Sequence, residues 1–169
     1  NAATHALGAF LSAVGLVFLV DQAGDVGRAG SLPAVVVYGA TMVILFMFSS
    51  IHHAVTCPKG KQILLALDHC GIYLLIAGTY TPVILISLRT TWVIYLLPVV
   101  WVMAIIGVYI KLFYIHRYER LTLVYYIVMG WMALIAAKPL YNSIPIESFV
   151  WIIVGGVAYT SGVVFYAWN

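Results

Sequence analysis

Six stretches of this chain, 1–20, 29–58, 69–88, 90–110, 121–137 and 148–169, contain no Asp, Glu, Lys or Arg. A helix needs about 20 apolar residues to cross the hydrocarbon of a bilayer. The charge-free stretches have that length, which gives six helices, the fifth in a shorter window than the others. The expected fold is therefore an all-α membrane protein, one transmembrane domain over 1–169, with helices near 2–20, 33–53, 67–88, 91–113, 121–138 and 147–168. Composition agrees, since 64% of residues are hydrophobic and 8% are charged, against roughly 25% charged in soluble domains.

Asn1 to Val20 shows neither a basic leader nor a small-residue cleavage site, so a cleavable signal does not explain the first stretch. Without an initiator methionine, the chain reads as a fragment that opens inside its first helix and stops after its sixth. Breakers mark the connections. Asp21 to Pro33 reads as a loop, with Pro33 in the first turn of the second helix. Cys57-Pro58-Lys59-Gly60-Lys61, Arg89-Thr90-Thr91, His116-Arg117-Tyr118-Glu119-Arg120 and Pro139 to Pro145 read as the next four.

Basic residues orient the bundle. Connections two and four, with their flanks, hold Lys59, Lys61, Lys111, Arg117 and Arg120, whereas the odd connections hold Arg28, Arg89 and Lys138. The bias predicts a cytoplasmic N-terminus in a multi-pass plasma-membrane protein. The net charge of +3 fits that basic face and calls for no nucleic-acid partner. With this topology His5, His53, Asp68 and His69 all fall at the cytoplasmic end.

Residues three or four apart share a helix face. His5, Gly8, Ser12 and Gly15 form one stripe, Gly39, Met42, Phe46, Ser49 and His53 a second, and Asp68, Gly71, Leu75, Gly78 and Pro82 a third. Each sets a polar residue among the small residues at which membrane helices approach closely. That spacing aims His53, Asp68 and His5 inward, toward a shared cavity. His52 points about 100° away from His53 and reads as incidental. Two readings stand for the cluster. Imidazoles and a carboxylate are zinc donors, and a catalytic zinc takes three protein ligands plus water. Equally, a histidine at a helix end sits at home in the membrane interface, as His69 and His116 do on this reading, and Asp68 fits a helix N-terminus favoured by the dipole. Cys57 and Cys70 read as free thiols, because a cytoplasmic location disfavours a disulfide.

The runs Ser49-Ser50-Ile51-His52-His53 and Asp68-His69-Cys70-Gly71-Ile72-Tyr73, continuing to Gly78-Thr79-Tyr80-Thr81-Pro82, resemble the hemolysin III family of bacterial membrane proteins. That family is grouped with the progestin and adipoQ receptors and, more distantly, the alkaline ceramidases. Asn1-Ala2-Ala3-Thr4-His5-Ala6-Leu7-Gly8 is similar to its first-helix pattern N-x-x-x-H-x-x-G. The resemblance implies that six helices of an expected seven-helix bundle are present and that Zn2+ sits near the cytoplasmic face. It makes His53 a direct metal ligand, gives Asp68 a hold on the metal through water, and matches Ser49 to the serine of S-x-x-x-H. The two remaining ligands, from an H-x-x-x-H pattern, are expected beyond Asn169, so the resemblance predicts weak or no zinc binding by these residues alone. His52 departs from the family, which usually carries an aromatic residue there.

Three functions follow from the resemblance. One is a zinc-dependent hydrolase of lipid amide or ester bonds, with Asp68 and Ser49 as catalytic residues, membrane lipid as surroundings and a lipid as substrate. A second is a pore-forming cytolysin, disfavoured by apolar mid-bilayer positions. The third is a membrane sensor or receptor without catalysis. The sequence carries no phosphate-binding glycine loop and no serine-nucleophile motif.

Overall fold

The computed structural model of the chain describes all residues except 28–29, 89–90, 115–116, 118 and 169, and all side chains of the rest except those of 26, 93 and 119. Expectations resting on Arg28, Arg89, Thr90, His116 and Tyr118 lie outside the described residues. Among the described residues the chain is helical, with no strand. It runs α1 (Ala2–Val26), α2 (Ser31–Ala54), α3 (Pro58–Pro82), a π-helical turn (Val83–Leu88), α4 (Thr91–Tyr114), α5 (Glu119–Trp131), a 3-10 segment (Met132–Ala136), α6 (Ala137–Tyr141) and α7 (Ile146–Trp168). Six spans are long and apolar enough to cross a bilayer, the fifth combining α5, the 3-10 segment and α6.

Several helix ends differ from the sequence expectation. Asp21, Gln22 and Asp25 are helical, since α1 runs on to Val26 and stops where Gly27 turns left-handed at φ 60°. Gly27 donates its N–H to the carbonyl of Gly24 at 3.1 Å, a helix-ending bond that glycine makes without strain. Ser31 and Leu32 belong to α2, whose N-cap is Gly30 at φ 87°. Pro58 is the first residue of α3, so Lys59 and Lys61 lie on its opening turns and not in a loop. Proline suits that position because the missing N–H has no helical partner there anyway. Glu119 opens α5, and Pro139 lies inside α6.

Proline also explains the register change after α3. Pro82 cannot donate to the carbonyl four residues back, and the following residues widen into a π-turn. That turn is no loose end, because Ile84 and Leu88 are buried.

The fifth span breaks for a different reason. The phenol of Tyr80 on α3 donates to the carbonyl oxygens of Gly130 (2.8 Å) and Met129 (3.1 Å) and accepts the N–H of Ala133 (2.7 Å). A side chain from another helix thus satisfies backbone groups where the span changes from α to 3-10.

The helices pack in sequence order, α1 on α2, α2 on α3 and α3 on α4, with α5 against α3, α4 and α7. In lipid there is little hydrophobic drive between helices, so close contact and hydrogen bonds carry the association. Gly71 and Gly78 let α3 close on Leu45 and Thr41 of α2, and Gly107 of α4 lies under the ring of Tyr73. The core formed this way centres on Tyr73, Ile84, Val100 and Met129. Outer helices show apolar side chains to their surroundings: Phe10, Val17 and Phe18 on α1 and Trp151 and Phe165 on α7 are exposed. Such faces suit acyl chains.

Candidate functional site

The first turns of α1 and α3 and the last turns of α2 meet at one end of the bundle. A side-chain-to-backbone bond fastens α2 to α1: Ser50 Oγ donates to the carbonyl of Ala2 at 3.1 Å. It brings the imidazoles of His5 and His53 to 5.0 Å between ring centroids, and His52 stands 5.2 Å from His53. Phe46 closes the inner side of this group, its ring 6.2 Å edge-on from His5. Asp68 of α3, half-buried, lies within electrostatic range of His53 and of His69. The dipole account of Asp68 fails on position. Because α3 starts at Pro58, Asp68 is well past the first turn, where the helix terminus acts.

The burial of the neighbouring histidines runs opposite to the inward direction that spacing gave His53. His52 is 9% exposed and its Nδ1 has no hydrogen-bond partner, while His53 is exposed. His53 shares the open side of the cluster with His5, whose own Nδ1 is buried and unpartnered. Ser49, one turn before His53, is buried at 5%. His69 is held differently: its Nδ1–H donates to the carbonyl of Leu65 at 2.8 Å, and Tyr126 of α5 donates to the His69 carbonyl at 3.2 Å. One of its ring nitrogens is therefore already spent on the helix.

Sequence reasoning missed Lys111. Counted above only as the flank of a basic connection, it is 4% exposed and stands within electrostatic range of His69 and Cys70. A lysine at the end of an otherwise apolar α4 was the available signal. Cys70 is buried, with Sγ 3.8 Å from the carbonyl of Val108, and Cys57 is exposed, so the two are free thiols.

These residues do not complete a metal centre. Among the described residues no group of three or more His, Cys, Asp or Glu stands close enough to hold a metal ion. His5 and His53 offer two imidazoles with Asp68 nearby, a partial donor set at best.

A protein-family comparison bears on this arrangement. The model of the family described as "Haemolysin-III related" matches residues 1–169. The chain belongs to that family. This Haemolysin-III related protein is 40% identical over 169 residues to Hemolysin-3 of Bacillus cereus, covering 100% of the chain and 77% of the relative. It is 41% identical to the Hemolysin-3 homolog of Bacillus subtilis (strain 168), covering 79% of that protein. A more distant relative is the human monocyte to macrophage differentiation factor, 26% identical over 137 residues, 77% of this chain and 56% of the relative. No solved structure matches it. Family membership and six apolar spans together make it a multi-pass integral membrane protein.

Proposed function

We propose that this Haemolysin-III related protein hydrolyses amide or ester bonds of membrane lipids at its polar end. One observation carries the reading. In a bundle whose outer faces are apolar, the His5 and His53 rings lie 5.0 Å apart with Asp68 in electrostatic range. Ionisable groups cost at least ~2.5 kcal/mol at the centre of a membrane helix, and those found near the hydrocarbon usually serve chemistry or transport. The basic residues Lys59, Lys61, Lys111 and Arg117 support placing this end, and the N-terminus, on the cytoplasmic side of a plasma membrane.

In this reading Asp68 is the general base. Its carboxylate takes a proton from water as the oxygen adds to the lipid carbonyl carbon. The amine or alkoxide leaves when the tetrahedral carbon collapses and takes the proton back, giving a fatty acid and the amine or alcohol part of the lipid. Ser49, buried one turn before His53, would hydrogen-bond within the site on this reading. His53 would hold zinc directly and Asp68 would hold it through water, with the remaining ligands coming from outside the described residues. Zinc, when bound, supplies a Lewis acid for the carbonyl oxygen.

Two of the relatives carry hemolysin in their names, which supports the alternative of a pore-forming cytolysin. Tyr73, Ile84, Val100 and Met129 fill the space between α3, α4 and α5, so a pore on that reading forms between copies and not through one bundle.

The test is release of fatty acid from a bilayer-embedded amide or ester lipid by the full-length protein. Turnover lost in Asp68→Asn, with bound zinc lost in His53→Ala, supports the hydrolase. Absence of turnover, with dye leakage from liposomes that survives both substitutions, overturns it in favour of a pore.

A further inference from the structure

The hydrolase reading gives tasks to His53 and Asp68 and leaves His5 without one. Yet α1 carries the His5 imidazole to within 5.0 Å of His53, centroid to centroid, with the ring planes inclined at 55°. A Zn–N bond of about 2.0–2.1 Å, continued ~1.1 Å from nitrogen to centroid, sets each imidazole centroid roughly 3.2 Å from a shared zinc. Tetrahedral coordination then separates two such centroids by about 5.2 Å. The observed spacing fits that figure, so neither helix has to move to bring both rings within reach of one metal. His52 stands at a similar 5.2 Å from His53, but there the distance says nothing, because helix neighbours diverge by about 100° and do not face one another.

No protein group accounts for His5. Its Nδ1 is buried and makes no hydrogen bond, which costs free energy unless a partner binds there. The ring is nonetheless held in place. The Ser50 bond to the Ala2 carbonyl ties down the turn before it, and Phe46 packs edge-on at 6.2 Å, where Gly8 leaves room for the ring. A fixed imidazole with an unpaired nitrogen is a preorganised donor.

From this we infer that His5 is a direct zinc ligand and shares the metal with His53. The inference rests on the zinc site of the hydrolase reading and not on the hydrolysis. With Asp68 in electrostatic range of His53, α1, α2 and α3 each bring one group to the metal.

The test is metal binding by the full-length protein in lipid nanodiscs. His5→Phe keeps an aromatic ring against Phe46 and removes both nitrogens, and melting of the metal-free form confirms that it folds. Zinc affinity, read by competition with a chelator, should fall at least ~100-fold in His5→Phe. Cobalt in place of zinc should show an altered visible spectrum, because the set of donors has changed. His52→Phe should alter neither. An unchanged affinity and cobalt spectrum in His5→Phe, or an equal loss in His52→Phe, would overturn the assignment. If His5→Phe fails to fold, His5→Ala carries the same comparison. Zinc held by His5→Phe but lost in His53→Ala refutes the role of His5 and leaves the hydrolase standing. Zinc lost in both variants, without lipid turnover by the unsubstituted protein, supports His5 and refutes the hydrolase. Absence of zinc from the unsubstituted protein overturns both.

Discussion

The two ends of α3 treat polar side chains in opposite ways. Toward its C-terminus the Tyr80 phenol makes three bonds to the fifth span, and Trp101 donates its indole N–H to Thr81 at 3.2 Å. Toward its N-terminus, beside the ends of α1 and α2, His53 is exposed, Asp68 is half-buried, and His5 and His52 each keep an Nδ1 without a partner. One region uses its polar atoms to hold helices together. The other ties α1 to α2 through Ser50 and the Ala2 carbonyl and leaves His53 exposed and the Nδ1 of His5 without a partner. On the proposed hydrolase reading the first region serves structure and the second serves chemistry, and substitutions should separate them.

The largest effect falls on the polar end. His53→Ala should lower zinc affinity of the full-length protein by more than the ~100-fold seen for lost supporting contacts, as read by metal analysis after dialysis, with the thermal stability of the metal-free form unchanged. In the buried half, Gly107→Ala drives a methyl into the Tyr73 ring. Overpacking of that kind costs about 1–3 kcal/mol and should lower the melting temperature. Tyr80→Phe removes a phenol that serves Gly130, Met129 and Ala133, leaving buried backbone groups unpaired at a cost of about 1–3 kcal/mol. Its signature is faster hydrogen exchange around Ala133, with zinc content unchanged. Smallest is Ser50→Ala. Hydrogen bonds between membrane helices average about 0.6 kcal/mol, so this variant should loosen the start of α1 with a barely shifted melting temperature. A large zinc loss in Tyr80→Phe, or a large stability loss in His53→Ala, would break the division.

The sequence predicted depth in the membrane better than direction around each helix. Charge-free runs located all six spans, because hydrocarbon admits so few alternatives. They also put His5, His53 and Asp68 at one end. Which histidine of the pair at 52 and 53 turns inward depends on what α1 and α3 present to it, and spacing on α2 alone pointed the wrong way about burial. Lys59 and Lys61 hid the start of α3, since charges mark a turn beyond the hydrocarbon as readily as they mark a loop. The break in the fifth span was illegible for another reason: its cause, Tyr80, lies 53 residues before Ala133 in the chain. The ligand set of the proposed hydrolase comes from resemblance alone, and the geometry contributes only the proximity of His5, His53 and Asp68.

The most direct test of the account compares lipid turnover by the full-length protein in three forms, unsubstituted, Asp68→Asn and Tyr80→Phe, in one bilayer preparation. The account predicts that Asp68→Asn loses at least ~100-fold in rate while melting normally, because a general base contributes that much. It predicts that Tyr80→Phe melts earlier and keeps its rate below the melting point. A full rate in Asp68→Asn would contradict it.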